Sequence, residues 1–318
     1  MQVSLFNTQY DIAHKWKAGD TERRTFSRLS NPTAQAVEAA MYREDPVVIT
    51  GKMAEVAPAG WLIHSLISKC GNKPVELMVA DERVEESPGG NRHQKPKQSA
   101  TLSDYTSRLN LGKVRREHVV GLPIKPWCPN GLHGLKFPRF VNDRLQELPP
   151  GSHLRDESPR LFMGPGGAGL SLHLSRIPSH FWLVLLVGRA RVRIYPRGNL
   201  PVLYFNHMRG TFPVRSFEDL TREDLKRHFP LAQVASPWDF VLHPSEMLLV
   251  PAGMPFEVSY WEKTVGLSGR FADDKTFAEL RAEQHSLAKC NRACRNATGA
   301  VFQPPQAEVE DAQRAGGS

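Results

Sequence analysis

The sequence predicts a mainly β protein with flanking helices, an α+β fold built around a jelly-roll-like sandwich or barrel. Two observations predict it: short β-like runs fill the second half of the chain, and Gly- or Pro-containing turns separate them. The eight runs lie at 161–163, 170–174, 181–187, 190–195, 240–242, 247–250, 256–260 and 265–271. The chain has 318 residues, of which 40% are hydrophobic and 23% charged, so it can bury the core of one large domain.

The first half of the chain is predicted to place helices and further strands beside this barrel. A helix at 33–44 is indicated because Val37, Ala40 and Met41 recur at three-to-four spacing. The proline at 46 ends it, because the residue before a proline avoids the helical region. The elements that follow are, in order, a strand at 47–51, a helix at 60–69, a strand at 75–79, a loop at 85–100 and a short helix from Thr101.

Helices are also predicted among and after the barrel strands. Two helical turns are expected near 216–228, where two Ser/Thr-x-x-Asp patterns are typical of helix starts. After the last strand, residues 274–295 are predicted to form a helix with one apolar side. The predicted organisation is a polar N-terminal arm (1–30), a main domain (31–272), a helical extension (273–302) and a disordered tail (303–318).

Neither a membrane span nor a secretory signal is predicted. The longest strongly apolar run, 181–187, is far too short to cross a bilayer, and the first residues lack a charged stretch before a long apolar core. Cys70, Cys128, Cys290 and Cys294 show neither a disulfide-framework spacing nor a zinc spacing. The last two are expected to be reduced cysteines on one helix face. The sequence therefore predicts an intracellular protein of the cytoplasm or nucleus.

The net charge of +8 would allow contact with an acidic partner. Much of this charge is local, because residues 91–116 contain seven basic side chains and one acid. A solvated loop and helix face is the preferred interpretation of this stretch. A nucleic-acid or phosphate surface, with Lys113, Arg115 and Arg116 as its basic residues, is the alternative.

The block from Leu161 to Ser175, in which a Gly-Pro-Gly-Gly-Ala-Gly turn leads into a strand carrying His173, resembles the iron site of the Jumonji C (JmjC) cupin-like proteins. The hairpin around Gly188 and the strand–turn–strand at 240–253 resemble later elements of that family. Residues 45–51 resemble its opening strand. The resemblance covers about residues 40–272 in one order, and it implies a double-stranded β-helix, the cupin or jelly-roll barrel, with N-terminal helices and a C-terminal helix.

The resemblance also implies a chemistry, which this sequence departs from. Active members of the family bind Fe(II) through two histidines and one carboxylate, leaving positions for 2-oxoglutarate and oxygen. His173 matches the first histidine, but Ser175 stands where the acid should be, and Phe256 falls at the position of the distal histidine. Phenylalanine has no donor atom, and a neutral hydroxyl is a weak ligand. Among the family's ligand positions, His173 is thus the one candidate left for metal contact, and a hydrogen-bonded core histidine is an equal interpretation of it.

The co-substrate positions implied by the resemblance are also changed. The polar residue three places before the first histidine is Leu170, and the lysine two places after the hairpin glycine is Ala190. The arginines at 189, 191 and 193 alternate with Ala190, so they are expected on the opposite face of the strand, as a basic outer stripe.

Four other side chains could in principle replace the missing ligands. Each of the histidines is more commonly an exposed or hydrogen-bonded residue than a ligand. Glu257 would face the inside of the barrel only after a slip in strand register, and that slip would also turn its neighbours to the opposite face. These candidates are His180, His207, His243 and Glu257.

The preferred functional hypothesis is a non-catalytic member of this family that uses the barrel as a binding or scaffolding module, with no cofactor. Its expected partner is a protein or peptide, and a homodimer through the C-terminal helix is suggested. The first alternative is an active hydroxylase of protein or RNA, dependent on Fe(II) and 2-oxoglutarate and using substitute ligands. The second is a nucleic-acid-associated factor that works through the basic surface.

Overall fold

The computed structural model describes residues 27–52, 63–79, 98–132, 143–148, 159–175, 178–207 and 210–289. The chain divides into two compact units, Met1–Phe277 and Ala278–Ser318, and all described strands belong to the first. In the second unit, the described part is the continuation of the last helix to Lys289. Residues 1–26 of the predicted N-terminal arm, residues 85–97 of the predicted loop, Cys290, Cys294 and the tail lie outside the described residues. The end of the arm, Ser27–Ser30, and the end of the loop, from Gln98, are strands instead, because each pairs with a neighbouring strand.

The described elements are mostly short. The helices are α1 (Ala34–Tyr42), α2 (Ile63–Cys70), α3 (Leu102–Asn110), α4 (Ile124–Trp127), α5 (Arg222–His228) and α6 (Asp274–Lys289). The first five strands are β1 (Ser27–Ser30), β2 (Val47–Thr50), β3 (Pro74–Val79), β4 (Gln98–Thr101) and β5 (Glu117–Pro123). The other eight are β6 (Arg160–Gly164), β7 (Gly169–His173), β8 (His180–Val187), β9 (Ala190–Ile194), β10 (Trp238–Leu242), β11 (Met247–Val250), β12 (Phe256–Tyr260) and β13 (Thr264–Phe271).

The strands of the described chain form two sheets, which confirms the predicted fold class. A nine-stranded sheet has the order β1-β2-β11-β8-β13-β6-β5-β3-β4, and a four-stranded sheet has the order β10-β9-β12-β7. The eight runs predicted in the second half of the chain are β6 to β13, and four of them lie in each sheet. Strands close in sequence are therefore shared between two facing sheets, as in a double-stranded β-helix.

Apolar side chains fill the space between the two sheets, which we call the barrel interior. On β9, Ala190, Val192 and Ile194 are fully buried there, because every second side chain of a strand points to the same face. On β12, the inward residues include Phe256 and Val258. Other members of this cluster are Val48, Ala168, Leu183, Leu185, Trp238, Phe240, Leu242, Leu248, Val250, Met254 and Tyr260.

Two further clusters cover the outer faces of the sheets. Helices α1, α2 and α3 bury Val37, Leu66 and Tyr105 against the nine-stranded sheet. Threonine side chains cap α1 and α5 at their N-termini, as helix starts favour. On the four-stranded sheet, the segment between β9 and β10 packs Leu203 and Phe217 over the outer face.

A disulfide bond joins Cys70, at the end of α2, to Cys128, just after α4. The sequence analysis found no disulfide framework, and it missed this bond because the two cysteines come together only in the fold. Both cysteines are buried.

None of the helices in the described segments is long and apolar enough to cross a membrane.

Candidate functional site

The structure brings His173 and Phe256 directly together. His173 is the last residue of β7 and Phe256 is the first of β12, and the two are Cα partners in the antiparallel pair. Their ring centroids are 4.2 Å apart, with the planes tilted by 58°. The Phe256 ring also lies 4.8 Å from that of Phe181. The two positions at which the resemblance implies histidine ligands are thus neighbours, and an aromatic ring occupies one of them.

His173 is held as a neutral imidazole. Its Nδ1 lies 2.8 Å from the backbone oxygen of Ser171, so Nδ1 carries the proton and donates it to this carbonyl. Burial lowers the pKa of His173, while the backbone groups of Ser171 and Phe256 act in the opposite direction. The ring is therefore oriented by the Ser171 carbonyl of β7 rather than by a carboxylate.

A β-bulge on β7 decides which side chains face the barrel interior. Between the pairs Phe256–His173 and Val258–Leu170, β12 advances by two residues and β7 by three. Residues three apart on a regular strand face opposite sides, but the extra residue turns Leu170 to the same side as His173. Leu170 packs against the interior cluster. The place expected to hold a co-substrate carboxylate is thus inward-facing and apolar.

The second co-substrate position, Ala190, is also apolar and fully buried. It is the first residue of β9 and lies in the same interior cluster. Ser175, which replaces the carboxylate ligand, follows β7 outside the strand. Its Oγ lies 3.4 Å from Oγ of Ser179. The serine hydroxyl therefore has a hydroxyl as its neighbour.

The candidate replacement ligands are engaged elsewhere or exposed. His180 is buried: its Nδ1 accepts a hydrogen bond of 3.1 Å from the Ala252 amide, and its Nε2 lies 3.3 Å from Oδ2 of Asp273. His207 and His243 are exposed loop residues. Within the described segments, no three His, Cys, Asp or Glu side chains come together so that they could hold a metal ion. The donor set around His173 does not fit Fe(II).

Glu257 lies on the outer face of β12, as strand alternation requires. It is 4% exposed, and its Oε1 is 3.5 Å from Nη1 of Arg193, which is 5% exposed. Burial raises the pKa of the Glu257 carboxyl, and the charge of Arg193 opposes that rise. Glu257 is thus part of a buried ion cluster and does not reach the barrel interior.

The prediction of a basic outer stripe on β9 was correct about the face of the strand but wrong about its net charge. Arg191 binds Asp239 at 2.6 Å and Glu218 at 3.3 Å, and Arg193 also binds both carboxylates. Arg189 binds Glu262 at 2.9 Å. The acids come from β10, from the β12–β13 turn and from the segment that covers this face. Carboxylates therefore neutralise the stripe, and its centre is buried.

The basic residues Lys113, Arg115 and Arg116 are exposed in the turn between α3 and β5. The backbone N–H of Arg116 donates to the side chain of Glu117 at 3.3 Å. The three basic side chains of the predicted surface are thus accessible to solvent.

Sequence reasoning missed His118, because β5 was not predicted as a strand. This histidine is 1% exposed, and its Nδ1 lies 3.1 Å from the Arg116 backbone oxygen. Burial lowers its pKa, and the nearby charge of Arg215 adds to that effect. Its Cβ would be 2.8 Å from a Cβ at position 164, so Gly164 is needed for this packing. His118 is thus part of the packing between β5 and β6.

Comparisons with known proteins agree with the geometry. A family model described as a cupin-like domain matches residues 32–269. The chain is similar to the lysine-specific demethylase JMJ21 of Arabidopsis thaliana, with 26% identity over 243 residues. That match covers 73% of this chain and 24% of the plant protein. The chain thus spans about a quarter of the length of the curated relative it matches.

Proposed function

This chain belongs to the cupin-like domain family, and we propose that within this family it is a pseudoenzyme that uses its barrel as a binding or scaffolding module. The observation that carries the proposal is the pair of His173 and Phe256. They occupy paired positions on adjacent strands, and the phenyl ring packs at 4.2 Å against the imidazole. A metal bound by His173 would meet carbon where the family offers a second nitrogen.

The missing donors matter because iron in this kind of site needs charge as well as nitrogen. Two histidines and a carboxylate on one face bind Fe(II), and the carboxylate offsets part of the metal's charge. Here a serine hydroxyl and a phenyl ring replace the carboxylate and one imidazole. One neutral imidazole is left, and it cannot hold the ion against water.

The apolar co-substrate positions give a second, independent support. A dicarboxylate placed near Leu170 and Ala190 would be buried without a cation or hydrogen-bond donor from either position. Burying an ionised carboxylate without a partner costs several kcal/mol, on the order of the whole affinity of a small ligand. The arginines of β9 cannot compensate, because they lie on the outer face in ion pairs with carboxylates.

A folded barrel without this chemistry is still a rigid platform. Its interior is closed by apolar packing, so the surfaces that remain for recognition are the rim near His173 and the outer faces. We infer a protein or peptide as the partner at the rim, where the partly exposed imidazole of His173 and the partly exposed Ser175 lie near the partly exposed ring of Phe181. A homodimer through α6 stays a prediction, which the mass of the purified protein in solution will test.

The proposal is tested by titrating the protein with Fe(II) without oxygen and then assaying succinate release from 2-oxoglutarate. Wild type should show no stoichiometric binding and no turnover, including with a methylated lysine peptide suggested by the name of the plant relative. A rebuilt variant, Ser175→Asp with Phe256→His, should gain metal binding, measured with Co(II) by its absorption. The control Ser175→Asp with Phe181→His introduces the same side chains with the histidine off the family position, and it should gain none.

Two results would contradict the proposal. Stoichiometric iron binding by wild type with succinate release would show a working oxygenase with substitute ligands. Equal Co(II) binding by the rebuilt and control variants would show that position 256 is not the missing ligand.

A further inference from the structure

We propose that the end of the barrel remote from His173 binds single-stranded nucleic acid, with Trp261 as a stacking platform for a base. Strand β12 begins at Phe256, beside His173, and Trp261 follows its last residue at the opposite end. None of the residues involved lies in the barrel interior, so this binding does not depend on whether His173 contacts a metal ion.

Trp261 is 54% exposed, which is unusual for a side chain of this size, yet its backbone is fixed. The Trp261 amide donates a hydrogen bond of 3.0 Å to the Arg189 carbonyl, tying the β12–β13 turn to the β8–β9 hairpin. The Arg189 guanidinium carbon lies 5.9 Å from the centre of the indole ring. An ion pair of 2.9 Å with Glu262 holds that guanidinium in place. The indole is thus presented on a rigid turn beside a guanidinium whose charge Glu262 offsets.

A second exposed apolar side chain, Leu111, belongs to the same surface. Leu111 is 68% exposed and follows the last residue of α3, Asn110. The Nζ of Lys263, two residues beyond Trp261, donates to the Asn110 side-chain oxygen at 3.0 Å. This bond ties the turn after α3 to the β12–β13 turn. We call the resulting surface, made of Trp261, Leu111, Lys113, Arg115 and Lys263, the turn surface.

The charge of the turn surface is complementary to phosphate. Lys113 and Arg115 are exposed, and neither has an ion-pair partner among the residues that the structure describes. The neighbouring carboxylate of Glu117 accepts the Arg116 amide, and backbone hydrogen bonds lower its pKa. Two cations are therefore free to meet an anion beside an exposed ring.

The combination favours single-stranded nucleic acid over an acidic peptide. Proteins that bind single strands pair a basic groove with aromatic side chains on which bases stack. An acidic peptide would satisfy the lysine and arginine charges, but it offers no flat ring for the indole. A duplex would offer phosphates while keeping its bases stacked away from Trp261.

The experiment is a fluorescence-anisotropy titration of the full chain with a labelled oligo(dT), repeated over a range of salt concentrations. Wild type should bind at low salt, and Trp261→Ala should weaken binding by roughly ten-fold, as loss of one stacked base does. Neutralising Lys113 and Arg115 to glutamine should make the salt dependence shallower by about 0.7 for each cation removed.

Matched controls lie elsewhere on the same molecule. Tyr42→Ala removes an aromatic ring that is 78% exposed, and Lys226→Gln with Arg227→Gln removes two exposed cations of α5. Neither control should change oligo(dT) binding. Circular dichroism of each variant establishes that it is folded.

Three results would overturn the proposal. The first is no binding at low salt by folded wild type. The second is binding that the Trp261 variant and the control variants weaken equally. The third is poly-glutamate binding as tight as that of oligo(dT) and insensitive to Trp261→Ala, which would identify an acidic protein as the partner.

Discussion

Breaking the bond between Cys70 and Cys128 should lower the free energy of unfolding by about 4 kcal/mol. The two cysteines are 58 residues apart in the sequence. In the chain-entropy description, a cross-link that closes a loop of this length removes about 4 kcal/mol of conformational freedom from the unfolded chain. Domains of ordinary stability have roughly 5 to 15 kcal/mol in total. Losing this bond would therefore remove a large part of the free energy of unfolding of the domain.

The assay is urea unfolding of wild type with and without a reducing agent, followed by tryptophan fluorescence. A variant with Cys70→Ala and Cys128→Ala should unfold at a lower urea concentration than oxidised wild type, and reductant should not change it further. A variant with Cys290→Ala and Cys294→Ala is the control, and it should keep the wild-type difference between oxidising and reducing conditions.

The reasoning is refuted if native protein titrates with four free thiols after denaturation without reductant, or if reductant leaves the unfolding midpoint unchanged. The thiol count also bears on the predicted intracellular location. Disulfides persist mainly in oxidising compartments, so a bond between Cys70 and Cys128 in protein from its natural source would count against that prediction.

Three further predictions, tested with four substitutions, concern other parts of the fold. Gly169→Ala should lower the free energy of unfolding by at least about 2 kcal/mol, because position 169 has a φ of 154° and an added Cβ would collide with the Val258 carbonyl. Gly112→Ala is the control, since φ is also positive there but the space is open, and it should cost only about 1 kcal/mol. Thermal unfolding measures both. Burial raises the pKa of Glu257, so its stabilising contribution is complete below about pH 4.5 and is lost as pH rises. Glu257→Gln should therefore gain stability relative to wild type as pH rises above that value. A difference in stability between the two proteins that does not change with pH would contradict the burial argument. Burial alone would raise the pKa of Asp273, but hydrogen bonds from His180 and Thr276 outweigh it and hold the pKa far below its usual value. The stabilising contribution of Asp273 is therefore present above about pH 3.8 and is lost as pH falls, so melting temperatures should fall more steeply on acidification in wild type than in Asp273→Asn.

The strands of the barrel could be predicted from the sequence because each is a short β-like run bounded by Gly or Pro. All eight predicted runs are strands, β6 to β13, with ends that differ by at most a few residues. The strand β5 was missed, because Gly121 and Pro123 interrupt its pattern and its partner is distant in sequence. Local patterns identify strands that signal their own boundaries, and they miss those that pairing alone defines.

In the candidate site, too, the sequence predicted what local patterns carry and missed what strand pairing and packing decide. The resemblance assigned Phe256 to the position of the distal histidine, but the sequence did not show that Phe256 and His173 are paired across two strands. The bulge that turns Leu170 inward could not be read from β7 alone, because a bulge is a property of two paired strands. Alternation placed Arg193 on the outer face, but it could not say that the segment before β10 would bury the guanidinium among carboxylates.

The length of β12 sets the spacing between the two surfaces at its ends. This strand has five residues, and an antiparallel strand rises by about 3.4 Å per residue, or about 17 Å in all. A peptide at the rim beside Phe256 would therefore not overlap with an oligonucleotide stacked on Trp261, because the two would bind at opposite ends of the same strand. Such a barrel would be an adaptor that binds a peptide and an oligonucleotide at the same time, because binding at one end of β12 would leave the other end accessible.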